Sequence, residues 1–193
     1  TGLPRHDYSW YGANIQRDSL LHRIRFFEPS AKLRERWQYN NFMFLAQGSL
    51  AEKLTGKKWE ALLTEKIFTP LGMSSSSAVI SSMEKGGNSS LGYRLKKDSI
   101  ITLMKYMDID AMGPAGSINS NVKDMSKWVT TWIYGGKYNG KEIIPASYVN
   151  QAMSSQMVIS AGLPTTEIPD VQFSNYGMAW FLSSYRGHYR VEH

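Results

Sequence analysis

Tyr39 and Asn41 are the two residues of this sequence whose types and spacing could carry proton-transfer chemistry. They form a Tyr-x-Asn triplet at the head of an apolar segment, which puts a phenol and a carboxamide at a predicted helix start. A tyrosine has an ordinary pKa near ~10 and becomes a useful base only beside a cation such as lysine or arginine. The positive end of a helix dipole also favours a phenolate, and an asparagine can orient a partner without titrating. The pair is a candidate acid–base site, although tyrosines are also common in protein cores.

A serine–lysine pair that could supply a nucleophile occurs twice, but neither position fits that role. Ser82-Met-Glu-Lys85 and Ser120-Asn-Val-Lys123 match Ser-x-x-Lys, a pattern expected by chance about once or twice in a chain of this composition. Lys85 is predicted in a polar, Gly-containing loop, and Ser120 in the capping region of a following helix. The sequence contains no Gly-x-Ser-x-Gly elbow. We therefore expect no nucleophile within the 193 residues.

Composition and motifs argue against several other kinds of function. The chain has no cysteine, which excludes disulfides and thiolate metal sites, and its four histidines lack His-x-x-x-His or His-Glu-x-x-His spacing. No metal or cofactor is predicted. The net charge is +6, but the basic residues are dispersed, which favours a solvated basic surface over a nucleic-acid partner. No apolar run approaches the roughly 20 residues of a membrane span.

The elements that must position Tyr39 and Asn41 are mostly helical. Apolar spacing and capping residues predict helices, and alternating patterns near the end of the chain predict strands joined by a turn around Arg186-Gly187. A two-stranded sheet is not self-sufficient, which indicates that further sequence belongs to the fold. The predicted helices are 17–27, 40–54, 58–67 (with Pro70 beyond its end), 122–134 and 145–153, the predicted strands are 91–95, 176–182 and 188–192, and 113–120 is predicted as a Gly-rich turn.

Six sequence landmarks follow one another along the chain. They are Thr1-Gly-Leu-Pro4, the Tyr39–Asn41 triplet, the GSLAEKLTG run, Ile67-Phe-Thr-Pro-Leu-Gly-Met73, the segment from Gly113-Pro-Ala-Gly to Asp124-Met-Ser-Lys-Trp128, and Tyr176-Gly-Met-Ala-Trp180 followed by Val191-Glu-His193. Their order over nearly the whole chain is far more specific than any one of them. In this order they resemble the serine β-lactamase and penicillin-binding-protein family, in particular its branch of class C β-lactamases, D-alanyl-D-alanine carboxypeptidases and esterases.

The resemblance implies a serine acyl-enzyme mechanism on an amide, lactam or ester, without metal or cofactor. Tyr39 would share the proton work with the lysine of the Ser-x-x-Lys signature. Asn41 would hold the substrate amide or orient that lysine. His193, in the position of the third signature, would line the region that binds the substrate carboxylate, although the match there is incomplete. As an alternative, His193 is an ordinary strand histidine.

The resemblance also implies that this chain is a fragment. The family's Ser-x-x-Lys segment would precede residue 1, and further strands would follow residue 193. We expect a single partial domain, 1–193, helical over about 1–160 with the start of an antiparallel sheet at about 173–193. Such a chain would belong to a mostly α part of an α/β (α+β) fold and would be inactive alone. Family members mostly work in the periplasm or outside the cell, whereas the sequence leaves the compartment and the oligomeric state open.

Two alternatives from other functional classes stay open at this point. A family member without its nucleophile could be a non-catalytic module that binds a peptide or a protein partner through the same cleft. The residue type at the upstream Ser-x-x-Lys position would separate this module from an enzyme. A basic helical protein that binds nucleic acid would show strongly salt-dependent binding, and the dispersed charge argues against it.

Overall fold

The structure, a computed structural model, describes residues 1–85 and 87–193. The chain divides into two compact units. The sheet unit comprises Thr1–Pro4, Phe27–Tyr39 and Lys127–His193, and the helical unit comprises Arg5–Phe26 and Asn40–Ser126. The expectation of one partial domain stays a prediction.

The helical unit begins with a 3₁₀ turn, Asp7–Ser9, and with helix α1, Arg17–Arg23, which tightens into a second 3₁₀ turn at Ile24–Phe26. This confirms the predicted helix at 17–27. Helix α2, Asn41–Thr55, confirms the helix predicted at 40–54. Asn40 caps its start, since its side chain accepts a hydrogen bond from the Met43 amide at 3.2 Å. Gly56 ends it with φ +69°, the left-handed conformation that glycine adopts most easily.

The helix predicted at 58–67 continues further than the sequence indicates. Helix α3, Trp59–Leu63, runs into a π-helical turn, Thr64–Phe68, and then into the short helix α4, Thr69–Leu71. Pro70 therefore lies inside the helical run, and Gly72 at φ +60° ends it. The Thr69 amide bonds to Thr64, and the Met73 amide to Phe68. Both bonds span five residues, so the helix is widened on either side of Pro70. Pro70 itself lies in the first turn of α4, where a missing amide hydrogen is tolerated.

The rest of the helical unit consists of short elements. Helix α5, Ile80–Lys85, precedes an antiparallel hairpin formed by strand β1, Tyr93–Lys96, and strand β2, Ile100–Leu103. The predicted strand at 91–95 is confirmed as β1, and its partner was not predicted. The turn predicted at 113–120 begins instead as helix α6, Gly113–Gly116. A Cβ at Gly48 in α2 would lie 2.2 Å from Pro114, so α2 and α6 pack too closely for any larger residue there.

An arginine ties these elements together. The Arg17 guanidinium, with only 15% of its side chain exposed, pairs with Glu52 in α2 at 2.9 Å and with Glu60 in α3. It also donates to the Asp110 carbonyl at 2.9 Å. Each of its bonds is to a charged or carbonyl acceptor, so its burial is compensated, and we interpret this cluster as structural.

Helix α7 spans Val122–Ile133, and its residues from Lys127 onward belong to the sheet unit. A small hairpin, strands β3 at Lys137–Tyr138 and β4 at Lys141–Glu142, precedes helix α8 at Ala146–Ala152. These helices confirm the two predicted at 122–134 and 145–153. The Asp124 amide bonds to Asn121 at 2.9 Å, so Asn121 caps α7 as its position predicts.

Four antiparallel strands in the order β5-β6-β7-β8 form the terminal sheet. The sequence predicted only two strands, 176–182 and 188–192. A turn at 177–180 divides the first of these between β6 and β7, and β5 was missed because its short run offers little alternation. The strand bounds are Met157–Ser160 for β5, Ser174–Tyr176 for β6, Phe181–Tyr185 for β7 and His188–Glu192 for β8.

The register of this sheet brings aromatic residues together at one end of its central strands. Tyr176 of β6 pairs with Phe181 of β7, and Phe181 pairs with Glu192 of β8. His193 directly follows this last pair. Leu182, only 1% exposed, faces the core of the sheet unit together with Val149 and Ala152 of α8. The sheet therefore holds the end of β8, and with it His193, beside the β6–β7 turn.

Candidate active site

Tyr39 lies in the sheet unit, directly before α2, and aromatic rings hold it in place. Its ring is stacked on Phe181 with an interplanar angle of 8° and a centroid distance of 6.4 Å. The Trp37 ring lies 6.4 Å from the Tyr39 ring, and the His193 ring lies 5.8 Å from the Tyr39 ring. Such ring contacts each add stability beyond the area that they bury. The phenol is therefore held by packing from several sides.

The Tyr39 phenol oxygen lies 3.1 Å from Nε2 of His193. The other ring nitrogen, Nδ1, lies against the carbonyl oxygen of Ala179. A carbonyl only accepts hydrogen bonds, so Nδ1 carries the hydrogen. In the neutral ring Nε2 is then the acceptor, and the Tyr39 hydroxyl donates to it. The structure thus brings together two of the three predicted site residues and indicates which nitrogen faces the phenol.

The Ala179 carbonyl is aimed by an unusual backbone conformation. Ala179 has φ +68°, a left-handed conformation that costs a non-glycine residue about 1–2 kcal/mol. It lies in the turn between β6 and β7, where the Gly177 amide bonds to the Trp180 carbonyl at 2.8 Å. A Cβ at Gly177 would lie 2.1 Å from the Ala152 carbonyl oxygen, so this turn requires glycine. Sequence reasoning missed Ala179 because nothing in its residue type signals this conformation.

Asn41 is the first residue of α2 and belongs to the helical unit. Its Nδ2 donates to Oδ1 of Asp7 at 3.1 Å. The same carboxylate accepts from Trp10 Nε1 at 3.1 Å and from Arg5 Nε at 2.6 Å. Partial burial works to raise the pKa of Asp7, but the hydrogen bonds from Arg5, Asn41 and Trp10 outweigh it and hold the pKa below its ordinary value of 3.8. Asp7 is therefore charged at neutral pH. Sequence reasoning missed it because 34 residues separate it from Asn41.

A second tyrosine lies in the aromatic cluster around Tyr39. Tyr176 contacts Phe181 at 5.0 Å and Trp37 at 5.8 Å. Its phenol oxygen is buried and has no hydrogen-bond partner within the described part of the chain. Burial, followed by the influence of Tyr39, raises the pKa of Tyr176 to about 12. Tyr176 thus remains a neutral phenol beside Tyr39, a feature that its motif did not indicate.

The two Ser-x-x-Lys strings lie in the helical unit. Ser82 and Lys85 lie within the short helix α5, and both side chains are exposed. Lys85 is thus helical and not in the loop predicted for it, because α5 extends to that residue. Ser120 shares a hydrogen bond of 2.8 Å with Ser76, just before α7, and this agrees with its predicted place in the capping region.

Among residues 1–85 and 87–193, no group of three or more His, Asp or Glu residues is placed to hold a metal ion. None of the described helices is both long and apolar enough to span a membrane.

Comparison with known proteins places this geometry in a family. The Beta-lactamase family model matches residues 1–192. The unguisins hydrolase ungD′ of Aspergillus campestris (strain IBT 28561) is 30% identical over 198 residues, which cover 97% of this chain and 34% of that protein. The matches to two curated relatives cover nearly all of this chain. The chain spans only about a third of the length of those relatives.

Solved structures with the same fold cover the whole chain. The octameric penicillin-binding protein homologue from Pyrococcus abyssi superimposes with a TM-score of 0.78 at 20% identity, over 100% of this chain and 43% of that chain. The D-amino acid amidase from Ochrobactrum anthropi SV3, in complex with L-phenylalanine amide, gives a TM-score of 0.71 at 18% identity, over 100% of this chain and 53% of that chain. At these identities the likeness concerns the fold, a mixed α/β architecture of the β-lactamase and transpeptidase type. The family match over residues 1–192, with which this fold agrees, shows that the chain belongs to the beta-lactamase family, a family of hydrolases.

Proposed function

We propose that this chain is part of a serine hydrolase that cleaves an amide, lactam or ester through an acyl-serine intermediate. Tyr39, Asn41 and His193 belong to its active site in this proposal. The observation that carries it is the hydrogen bond between the Tyr39 hydroxyl and His193 Nε2, because it joins two family landmarks that lie 154 residues apart in the chain. The name of a D-amino acid amidase among the structurally similar proteins favours an amide as the substrate.

The proposed chemistry uses Tyr39 and His193 as a proton path. The serine oxygen attacks the substrate carbonyl carbon and releases its proton to the Tyr39 oxygen, while the phenolic proton passes to His193 Nε2. The resulting imidazolium keeps its Nδ1–H on the Ala179 carbonyl, which stabilises the positive charge. When the carbon–nitrogen bond breaks, the proton returns by the same path to the leaving nitrogen. Water then hydrolyses the acyl-serine.

The nucleophile of this proposal lies outside residues 1–193. The serines of the two Ser-x-x-Lys strings follow Tyr39 in the chain, whereas the family order places the nucleophile before it. Ser120 is also engaged with Ser76. Contact of His193 with a substrate carboxylate remains a sequence-based prediction, and we assign its imidazole first to the Tyr39 hydroxyl.

Intact-mass labelling with a penicillin and with a fluorophosphonate ester tests the proposal. The reagents are applied to the 193-residue chain and to the natural sequence extended at both ends. We expect one acyl or phosphonyl adduct on the extended chain and none on the short one. Tyr39→Phe in the extended chain is expected to slow acylation by about 10²- to 10⁴-fold. Tyr134→Phe, a matched change at a side chain that is 69% exposed, should leave the rate within about twofold.

Each other outcome has a definite meaning. Labelling of the short chain would contradict the external nucleophile and would return attention to Ser82 and Ser120. An extended chain that is folded but takes no label would contradict the proposal of a serine hydrolase and would favour the non-catalytic binding module. Equal rates for Tyr39→Phe and Tyr134→Phe would remove Tyr39 from the chemistry.

A further inference from the structure

Asp7 holds the Asn41 carboxamide from one side. The carboxylate receives three side-chain donors: Asn41 and Trp10 on Oδ1 and Arg5 on Oδ2. It begins the 3₁₀ turn Asp7–Ser9, and its side chain is only 26% exposed. Among the residues that the structure describes, the charged group that faces it is Arg5, at 2.6 Å. Three donors on one carboxylate leave it little freedom to turn, so its position relative to α2 is well defined.

An ionised carboxylate only accepts hydrogen bonds, and this decides how the Asn41 amide is oriented. The nitrogen and oxygen of a carboxamide have nearly the same shape, so an asparagine without a directing partner can present either one. Here Asp7 takes the nitrogen, Nδ2, at 3.1 Å. The oxygen, Oδ1, is therefore turned away from Asp7. Because the pKa of Asp7 is held below its ordinary value, this arrangement persists at neutral pH.

We propose that Asp7 is a positioning residue that makes Asn41 present its carboxamide oxygen, as a hydrogen-bond acceptor, to a group that carries N–H: the ammonium of the lysine in the upstream Ser-x-x-Lys signature or the N–H of a substrate amide. The proposal rests on the proposed function in one respect, that Asn41 belongs to the active site. Asp7 itself touches neither the substrate nor the reacting atoms in this scheme.

The orientation itself is tested on the 193-residue chain, without any need for activity. The ¹H–¹⁵N spectrum of the Asn41 side-chain amide is recorded for the native chain, Asp7→Asn and Trp10→Phe. In the native chain one amide proton should be shifted downfield by the carboxylate, and the shift should disappear as acid protonates Asp7. Asp7→Asn should abolish both effects, whereas Trp10→Phe, which removes a different donor to Asp7, should preserve them. An Asn41 amide that does not respond to Asp7→Asn overturns the proposal.

The functional consequence is tested on the extended chain by acylation with a penicillin. Asp7→Ala should lower the second-order rate constant about 10- to 100-fold, the effect of a misplaced active-site group. Asn41→Asp should also be slow, because it places two carboxylates together. The double variant Asp7→Asn, Asn41→Asp should recover at least about tenfold over either single variant. In that variant the carboxamide introduced at position 7 can donate to the carboxylate introduced at position 41, whose second oxygen is presented in place of the native Oδ1.

The control and the contrary results separate this proposal from a purely structural role. Trp10→Phe should stay within about threefold of the native rate. A rate for Trp10→Phe as low as that for Asp7→Ala would mean that Asp7 acts only through the fold of its loop. A double variant that is as stable as the native chain yet no faster than the single variants would mean that Asn41 acts as a donor. If the extended chain takes no label at all, the proposed function fails, while the amide spectrum still decides the orientation of Asn41.

Discussion

The two predicted catalytic side chains, Tyr39 and Asn41, are two residues apart in sequence but are held by different kinds of force. Tyr39 lies among aromatic rings in the sheet unit, and its phenol oxygen contacts a histidine. Asn41 lies in a polar network of the helical unit, fixed by a carboxylate that also binds an arginine and an indole. Ring packing holds a side chain through shape and area, whereas a charged network holds it through direction. The placement of Tyr39 should therefore depend on the volume of the rings around it, and the placement of Asn41 on its hydrogen-bond partners.

Removal of a ring beside Tyr39 should have the largest effect on stability. Phe181 contacts Trp37, Tyr39, Tyr176 and His193, so Phe181→Ala opens a cavity among four rings. We expect the free energy of unfolding in urea to fall by about 3 kcal/mol. The same change at Phe26, whose side chain is 66% exposed, serves as the control and should cost about 0.5 kcal/mol or less. Equal losses of stability for the two variants would show that ring packing does not hold Tyr39 in place.

Loss of the cap beside Asn41 should have an intermediate effect. Asn40 is 5% exposed and caps α2 through the Met43 amide. Asn40→Ala should lower the free energy of unfolding by about 1–2 kcal/mol, because it removes the side-chain acceptor of that amide, although the amide keeps its bond to the Asn40 carbonyl at 3.2 Å. Gln16, at the corresponding position of α1, makes no side-chain cap bond, so Gln16→Ala should cost less than about 0.5 kcal/mol. If Asn40→Ala were no more costly than Gln16→Ala, directed polar bonds would not be what places the start of α2.

The smallest effects should come from two phenols in the sheet unit. The Tyr176 hydroxyl has no partner in the described part of the chain, so Tyr176→Phe should change stability by less than about 0.5 kcal/mol, or raise it. Tyr189→Phe removes a bond of 2.7 Å to the Met153 carbonyl and should cost about 1 kcal/mol. A larger cost at Tyr176 than at Tyr189 would mean that the Tyr176 hydroxyl is engaged.

The difference in stability between the native chain and Tyr176→Phe should depend on pH in the alkaline range. The pKa of Tyr176 is raised from 10.0 to about 12 in the folded chain, so between these values the unfolded chain binds fewer protons. Stability must then fall as the pH rises through this window. Tyr176→Phe lacks this loss, so its stability relative to the native chain should increase from pH 10 towards pH 12. A constant difference across that range would contradict the raised pKa of Tyr176.

Much of the helical framework could be predicted because local signals and tertiary contacts agree. The helix at 40–54 has an asparagine cap, an apolar face and a terminal glycine, and the structure places α2 within one residue of it. The run at 58–67 shows where local signals fail. Pro70 predicts a stop, yet the helical run continues past it because the surrounding amide bonds span five residues. In the terminal sheet, β5 and the division of 176–182 were missed, since short strands depend on their neighbours in the sheet.

The residue types alone determined the family, the candidate pair Tyr39 and Asn41, and the dispersed charge that argues against a nucleic-acid partner. These are properties of order and composition along the chain. The partners of the site residues were decided only in three dimensions: His193 beside the Tyr39 hydroxyl, the strained Ala179 carbonyl behind that histidine, and Asp7 against Asn41. Sheet register and loop closure join residues that are far apart in sequence, and no local pattern of residue types encodes such a meeting.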